Sequence, residues 1–213
     1  MTLEMPPLET ERLLIRPFVM DDLEDAFRLF DIELNADDLR VDKLESKGER
    51  AEWLQWSVLN YRQLAKLHQP PYGDRAIVLK SSGLLIGSCG YVPCLNAFEQ
   101  MPNFSYHNAS GTSGRNTTEF GLFYAISPSH QRCGYATEAA GALVDYAFNQ
   151  LNLQRIIATT DDDNLGSIGV MRKLSMQVEK NPLHEPPWLQ VVGVLENSQQ
   201  LVPGRSNEPS IRG

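Results

Sequence analysis

"SPSHQRCGYATEAAGALVDYAF", residues 127–148, is the stretch on which the reading of this chain turns. Ala136, Ala139, Ala140, Leu143, Val144, Ala147 and Phe148 recur at three- and four-residue steps. That pattern is a buried helical stripe, small near its start, so the helix N-terminus packs close to its neighbour. The first amides of such a helix have no helical partner and together carry about half a positive charge. An anion placed there is bound by backbone N–H groups without a lysine. Gly134 lets phosphate oxygens approach the backbone, and Arg132 adds a charge-assisted contact at the edge.

Working outward, "EFGLFYAI" (119–126) has strand character and leads into this helix. Upstream, "TERLLIRPF" (10–18) reads as a first strand, stopped at Pro17. "MDDLEDAFRLF" follows with Leu23, Ala26, Phe27 and Phe30 at helical spacing and Asp21 or Asp22 as cap. A second helix is expected over 49–68, with Trp53, Trp56, Leu59 and Leu64 on one face. "RAIVLK", "SSG" and "LLIGSCGYV" read as a hairpin over 75–92. Downstream, "QRIIATT" (154–160) is a buried strand and "LGSIGVMRKL" (165–174) a short helix behind the capping cluster "DDDN". "MQVEK" and "WLQVVGVLE" are two last strands. This alternation favours a partly parallel central sheet with helices on both faces. Ligands in such sheets bind beyond the carboxyl ends of strands, beside a helix N-terminus.

Residues 96–118 are rich in Asn, Ser, Thr and Gly and hold no sustained period. A loop this long is either mobile or a substrate lid. Residues 197–213 have the composition of a tail. With neither repeat nor linker, one domain over 8–196 is expected.

The net charge of -8 is concentrated early, with 14 acids against 7 bases in residues 1–50. No run of Lys and Arg with interleaved aromatics offers a nucleic-acid groove. The acidic front is either a solvated helix surface or an attraction for a cationic acceptor. Cys89, Cys94 and Cys133 give no CxxC spacing, so no metal site is expected, and so sparse a count suits a reducing compartment. "MTLEMPPLETERLLIRPF" lacks the basic-then-apolar order of a signal peptide. No apolar run approaches the ~18 residues of a membrane helix, and the expectation is a cytoplasmic protein in which the sequon at Asn108 is a chance match.

Neither GxxxxGK[ST] nor GxGxxG is present. The pattern that fits is Q/R-x-x-G-x-G/A, occupied by Gln131, Gly134 and Ala136. It resembles the pyrophosphate-binding loop of the GCN5-related N-acetyltransferase superfamily, whose members bind acetyl-CoA. "LETERLLIRPFVMDDLEDAFRLF" resembles the opening of the branch that includes ribosomal-protein N-terminal acetyltransferases. "AIVLKSSGLLIGSCGYVP" is similar to its second and third strands, and "NLGSIGVMRKLSM" to its later helix, through Asn164, Ser167, Val170, Lys173 and Met176. The resemblance spans 8–196 apart from the 96–118 loop. It implies an α/β (α+β) fold whose mixed, mostly antiparallel, twisted sheet has about seven strands, with helices on both faces. It also implies direct acetyl transfer from acetyl-CoA to a primary amine of a protein N-terminus or small molecule, by a monomer or homodimer. The cofactor-binding residues it implies are Ile126, Ser127, Gln131, Arg132, Cys133, Gly134, Tyr135, Ala136, Thr137, Asn164 and Ser167. Two positions depart from the pattern: Met171 replaces a tyrosine that in many relatives protonates the leaving thiolate, and Ser175 replaces a glycine. With the base unplaced, they leave a catalytically weak acyl-CoA-binding module as the alternative.

Acylating an amine with a thioester requires a neutral amine, a polarised carbonyl and a leaving thiolate. An alkylamine has a pKa of about 10.4, so a base or proton wire must accept its proton. The resemblance implies that a backbone N–H near Ile126 polarises the carbonyl, with pantetheine along 124–127. Glu119, opening the same strand, is the candidate base, acting through water; a straight strand puts it ~23 Å from Ile126. A solvated strand-end carboxylate is the other reading. Ser167 protonates the thiolate, binds the cofactor or caps its helix, and Asn164 binds the cofactor or is an N-cap. His130 lies toward the cofactor's polar end, Glu138 complements the helix dipole, and His184 borders the acceptor site or sits in a surface loop. Tyr124 and Tyr135 line the cofactor or the core. A covalent intermediate on Cys133 is not expected, since no Cys–His arrangement is visible.

Overall fold

The computed structural model describes residues 5–34, 46–101, 115–183 and 185–197. The chain begins with β1 (Leu8–Glu9), β2 (Leu13–Pro17) and α1 (Leu23–Phe27), which continues into a π-helical turn over Arg28–Glu33. Then come α2 (Lys47–Lys66), β3 (Gly73–Leu79), β4 (Leu85–Asn96), β5 (Thr117–Ile126) and α3 (Tyr135–Asn149). β6 (Arg155–Thr160), α4 (Leu165–Lys173), β7 (Gln177–Lys180) and β8 (Val191–Glu196) complete it. The strands form one eight-stranded sheet ordered β1-β2-β3-β4-β5-β6-β8-β7. All neighbours are antiparallel except β5 and β6. The mixed, mostly antiparallel sheet read from the sequence is thus present, and the strand beyond the seven expected is the two-residue β1.

Helix α3 lays Ala139, Ala140, Leu143, Val144 and Ala147 on one face of the sheet, against Ile15, Ile77, Ile86 and Leu122. Each large apolar side chain buried there contributes about 1.5–3 kcal/mol. Helices α1 and α2 cover the other face, through Ala26, Leu29 and Leu54 against Ala76 and Val78. The sequence placed Trp53, Trp56, Leu59 and Leu64 together on one face of α2. Instead Arg50, Leu54 and Ser57 are buried, and Trp56 and Leu59 are exposed. The physical reason is Arg50. Its guanidinium is gripped by Asp31, with Nε to Oδ2 at 2.8 Å and Nη2 to Oδ1 at 2.9 Å. It also lies 4.8 Å from the ring centroids of both Phe30 and Trp53. A paired buried charge sets the rotation of the helix, and an apolar pattern does not encode it.

Part of the segment read as a loop is core. Asn96 belongs to β4, Phe98–Gln100 is a 3-10 turn, and Phe98 and Met101 are buried beside Ile157, Leu189 and Val192. Its centre, 102–114 with the Asn108 sequon, lies outside the described residues, as do 198–213 of the tail. Asn197, read as the first tail residue, is buried; its side chain donates to the Leu153 carbonyl at 3.0 Å and its backbone N–H to that of Gln154 at 2.7 Å. Among the described residues no helix is long and apolar enough to cross a membrane.

One feature of the register positions the site. β4 and β5 pair over ten positions, from Gly87↔Ile126 to Asn96↔Thr117, whereas β5 and β6 share only Gly121↔Ile157. A Cβ at Gly121 would lie 2.4 Å from Cys94 Sγ and 2.9 Å from the Val92 carbonyl oxygen, so this junction requires glycine. Beyond it, β5 and β6 part.

Candidate active site

The parted strands open a groove of about 1330 Å³. Tyr124, Ala125 and Ile126 of β5 form one wall, and Ala158, Thr159 and Thr160 of β6 the other. The N-termini of α3 and α4 both reach it.

At α3 the chain makes a cradle. Arg132 (φ 61°) and Gly134 (φ 85°) both adopt left-handed backbone, and Gly134 is the N-cap. Glycine has no side chain to satisfy the first amides, and no side-chain cap is present, so the N–H groups of Tyr135, Ala136 and Thr137 keep the vacancy that every helix start has. Glu138, the one acid of the first turn, does not fold back to fill it. Its carboxylate accepts from Thr10 Oγ1 (2.5 Å), Arg12 N (2.9 Å) and Arg12 Nε (2.7 Å). Burial pushes that carboxyl up, but the hydrogen bonds from Thr10 and Arg12 and the charge of Arg12 outweigh it and hold the pKa below the ordinary value. Arg12 also donates to the Cys133 carbonyl (3.0 Å) and lies 4.4 Å over the Tyr135 ring. Gln131 fastens the other side, its Nε2 donating to the Ile126 carbonyl at 3.0 Å.

Gln131, Arg132, Gly134, Tyr135, Ala136 and Thr137 therefore come together at one end of the groove, with Ile126 in its wall. Ser127 and Cys133, read with them, are not part of that wall. Ser127 is fully buried, its N–H donating to the Ile86 carbonyl (2.8 Å) and its hydroxyl sharing a hydrogen bond with Ser129 (2.9 Å). The Cys133 thiol donates to the Gln131 carbonyl at 3.4 Å. At the second helix, Asn164 is the N-cap of α4, its Oδ1 accepting from Ser167 N at 3.0 Å, and both residues line the groove. The Tyr124 hydroxyl crosses from β5 and donates to the Ser167 carbonyl at 3.1 Å, and burial pushes its pKa up to about 12. His130 lines the groove and bonds Ser129 through Nδ1 at 2.9 Å, while His184 lies outside the described residues.

The reading of Glu119 needs correction. Glu119 is not in the groove wall: it is buried where β5 and β6 are still joined, and Arg155 grips both its oxygens, Nε to Oε2 at 2.7 Å and Nη2 to Oε1. Met171 does not face the groove either. It is buried, with its sulfur 3.0 Å from the position a Cβ would take at Gly193. Ser175, where the resembled family pattern has glycine, has φ 61°, the region that favours glycine.

Two features escaped the sequence reading. Arg12 looks like one more charge on an edge strand, and its partner is far away in sequence. Asp74 reads as a turn residue before the hairpin, yet it lines the groove and accepts from Ser88 Oγ at 3.0 Å. Burial pushes its pKa up to about 6, opposed by the Ser88 hydrogen bond. The period-2 alternation with Ala76 and Val78 is the signal that could have put it on an inner face.

Residues 12–177 match the family model described as Acetyltransferase (GNAT) domain. An uncharacterised N-acetyltransferase of Bacillus subtilis (strain 168), YnaD, is 44% identical over 66 residues, 31% of this chain and 38% of that protein. The spermidine N(1)-acetyltransferase of Escherichia coli (strain K12) is 42% identical over 60 residues, 28% of this chain and 32% of that protein. Among solved structures, the ribosomal-protein-S5-alanine acetyltransferase of Vibrio fischeri has a TM-score of 0.61 at 17% identity, over 90% of this chain and 97% of that one, a likeness of fold.

Proposed function

We propose, from the premise that this chain belongs to the acetyltransferase (GNAT) domain family, that it moves an acetyl group from acetyl-CoA directly onto a primary amine. The observation that carries this reading is the uncapped N-terminus of α3 opening on the groove. The cradle fits a pyrophosphate. Its amides at Tyr135, Ala136 and Thr137 are donors without acceptors, Gly134 leaves room above them, and Arg132 stands at the rim.

In this reading the pantetheine arm follows Tyr124–Ile126 along the edge of β5 that β6 has left. A backbone N–H near Ile126 polarises the thioester carbonyl, where charge develops as the amine attacks. The C–N bond forms as the C–S bond breaks, with its electron pair passing to sulfur. Ser167, at the first turn of α4, supplies a proton to that sulfur; a thiol has a pKa of about 8.5, so the demand on this acid is modest. Asn164 supports the role by fixing the backbone of Ser167. The acceptor is the amine of a protein N-terminus or of a small molecule such as a polyamine, chemistries that the names of the compared proteins also carry.

Calorimetry with acetyl-CoA, followed by thiol release in the presence of polyamines, N-terminal peptides and aminoglycosides, tests the reading. Binding plus release with at least one amine class is the expected result. Binding without release on any amine would leave an acyl-CoA-binding module, and no binding would remove the cofactor assignment.

A further inference from the structure

An amine must lose a proton before it can attack, and Glu119, held by Arg155 outside the groove, is badly placed to take it. The face of the sheet under α1 and α2 offers a different carboxylate. Asp74 on β3 lines the same groove. Its Oδ1 accepts from Ser88 Oγ at 3.0 Å, and among the described residues Asp74 forms no ion pair. The nearby cation, Arg50, is already bound through two hydrogen bonds to Asp31, with its guanidinium 4.8 Å from the ring centroids of both Phe30 and Trp53. Asp31, Arg50 and Asp74 therefore sum to one negative charge, in a region closed on one side by aromatic rings.

The sheet register brings this pair to the reacting end. Asp74 pairs with Gly90, which pairs with Phe123, and in the next row Ala76 pairs with Ser88, which pairs with Ala125. Ser88 thus lies beside the residue that precedes Ile126, about 5 Å away at ordinary strand spacing, and Asp74 lies one strand further on. A nitrogen placed over Ala125 has the Ser88 hydroxyl next to it and the Asp74 carboxylate behind.

We propose that Asp74, together with Ser88, forms the acceptor subsite, which receives a protonated primary amine and takes up the proton its nitrogen sheds before attack. The inference rests on the acetyl-transfer reading above. Its balance is complete: the ammonium loses two protons in all. The first goes to Asp74, directly or through Ser88, and returns to solvent; the second replaces the proton that Ser167 hands to the sulfur, so the thiol leaves and the serine ends protonated. The nitrogen lone pair freed by the first loss forms the C–N bond.

The electrostatics agree with the geometry. Burial raises the carboxyl pKa to about 6, with Ser88 and the Arg50 charge opposing, so Asp74 is ionised at neutral pH yet a stronger base than an exposed aspartate. The other charged or titratable groups near it on packed elements are Asp31, neutralised by Arg50, and Tyr61, whose hydroxyl donates to the Gly73 and Asp74 carbonyls and whose ring lies 5.5 Å from the Arg75 guanidinium, itself tied to the Met5 and Pro6 carbonyls. The net negative charge selects an alkylammonium over an anionic acceptor, and a polyamine and a peptide N-terminus both supply that group.

The test is Asp74→Asn, which keeps size and acceptor oxygen, with Asp74→Glu as the conservative partner. Acetyl-CoA affinity is read by calorimetry, and kcat/KM against pH with spermidine and with an alanine-initiated peptide in parallel. The expected result is unchanged acetyl-CoA affinity, a loss of about 10²- to 10⁴-fold in kcat/KM for whichever amine is used, disappearance of an acid limb near pH 6, and partial rescue by glutamate. A wild-type pH profile and rate in Asp74→Asn, with acetyl-CoA still binding, overturns the subsite while leaving the acetyltransferase reading intact. Loss of acetyl-CoA affinity in Asp74→Asn also overturns it, since the residue would then serve the cofactor. Failure of the wild-type protein to bind acetyl-CoA removes the underlying reading instead.

Discussion

Arg12 and Glu138 lie 126 residues apart in the chain and 2.6 Å apart in the fold. The pairing does more than join a strand to a helix. It draws the one carboxylate of the first turn of α3 away from the helix amides, and it anchors the Cys133 carbonyl and the Tyr135 ring on either side of Gly134. An acid that would ordinarily neutralise the helix N-terminus is thereby turned into a strut that leaves the N-terminus open for an anion.

Glu138→Gln should weaken acetyl-CoA binding several-fold while leaving the Michaelis constant of the amine unchanged. Isothermal calorimetry and steady-state kinetics separate the two. The Glu138 carboxyl is held below its ordinary value, so its stabilising contribution is full above a pH of about 4.5 and is lost as pH falls through the lowered native value. The variant should accordingly lose part of the acid dependence of the melting temperature.

Gly134→Leu should weaken acetyl-CoA binding by more than tenfold, about 1.4 kcal/mol. A side chain there must adopt φ 85° and starts 3.4 Å from Arg12 Nη2, so it strains the backbone and presses on the strut together. Unchanged affinity in a folded variant would refute the pyrophosphate cradle.

Glu119→Gln should act on stability rather than on chemistry. Removing one partner of a buried ion pair leaves Arg155 poorly compensated, with Glu196 farther off at 3.8 Å, and costs on the order of 3 kcal/mol. Denaturant unfolding measures the loss, and the pH–rate profile of the folded fraction should keep the wild-type shape. Loss of an acid limb at full stability would return Glu119 to the role of base.

Asp74→Asn should raise stability at neutral pH even as it lowers activity. The native carboxyl titrates at about 6 against an ordinary 3.8, so the folded state holds the proton more tightly. Stability from this group is complete below pH 3.8 and is lost as pH rises through 6. Asparagine removes that penalty, worth up to about 3 kcal/mol at pH 7. Melting curves at pH 4 and pH 7 check it, with a gain expected only at the higher pH.

Met171→Tyr should destabilise the fold without raising turnover. The side chain packs against Gly193 and Met176, where added ring atoms overpack the core at a cost of about 1–3 kcal/mol. A rise in turnover would place position 171 at the thioester after all.

Much of this was legible in the sequence because the relevant signals are local. The alanine stripe of α3, the hairpin before it and the Asn164 cap each sit within one helix or one turn, where periodicity and capping chemistry are decided by near neighbours. Gln131, Gly134 and Ala136 mark the cradle for the same reason: a left-handed glycine at a helix start is a property of a few consecutive residues. Charge pairing is different. Whether Glu119 is a base or the captive of Arg155, whether Arg50 turns α2 inward, and whether Arg12 meets Glu138 all depend on partners brought together by tertiary packing across 19 to 126 residues. Asp74 shows the limit most clearly. Its acidity is set by how much water the aromatic side chains of α1 and α2 exclude from it, and desolvation is a property of the packed molecule that no stretch of chain carries by itself.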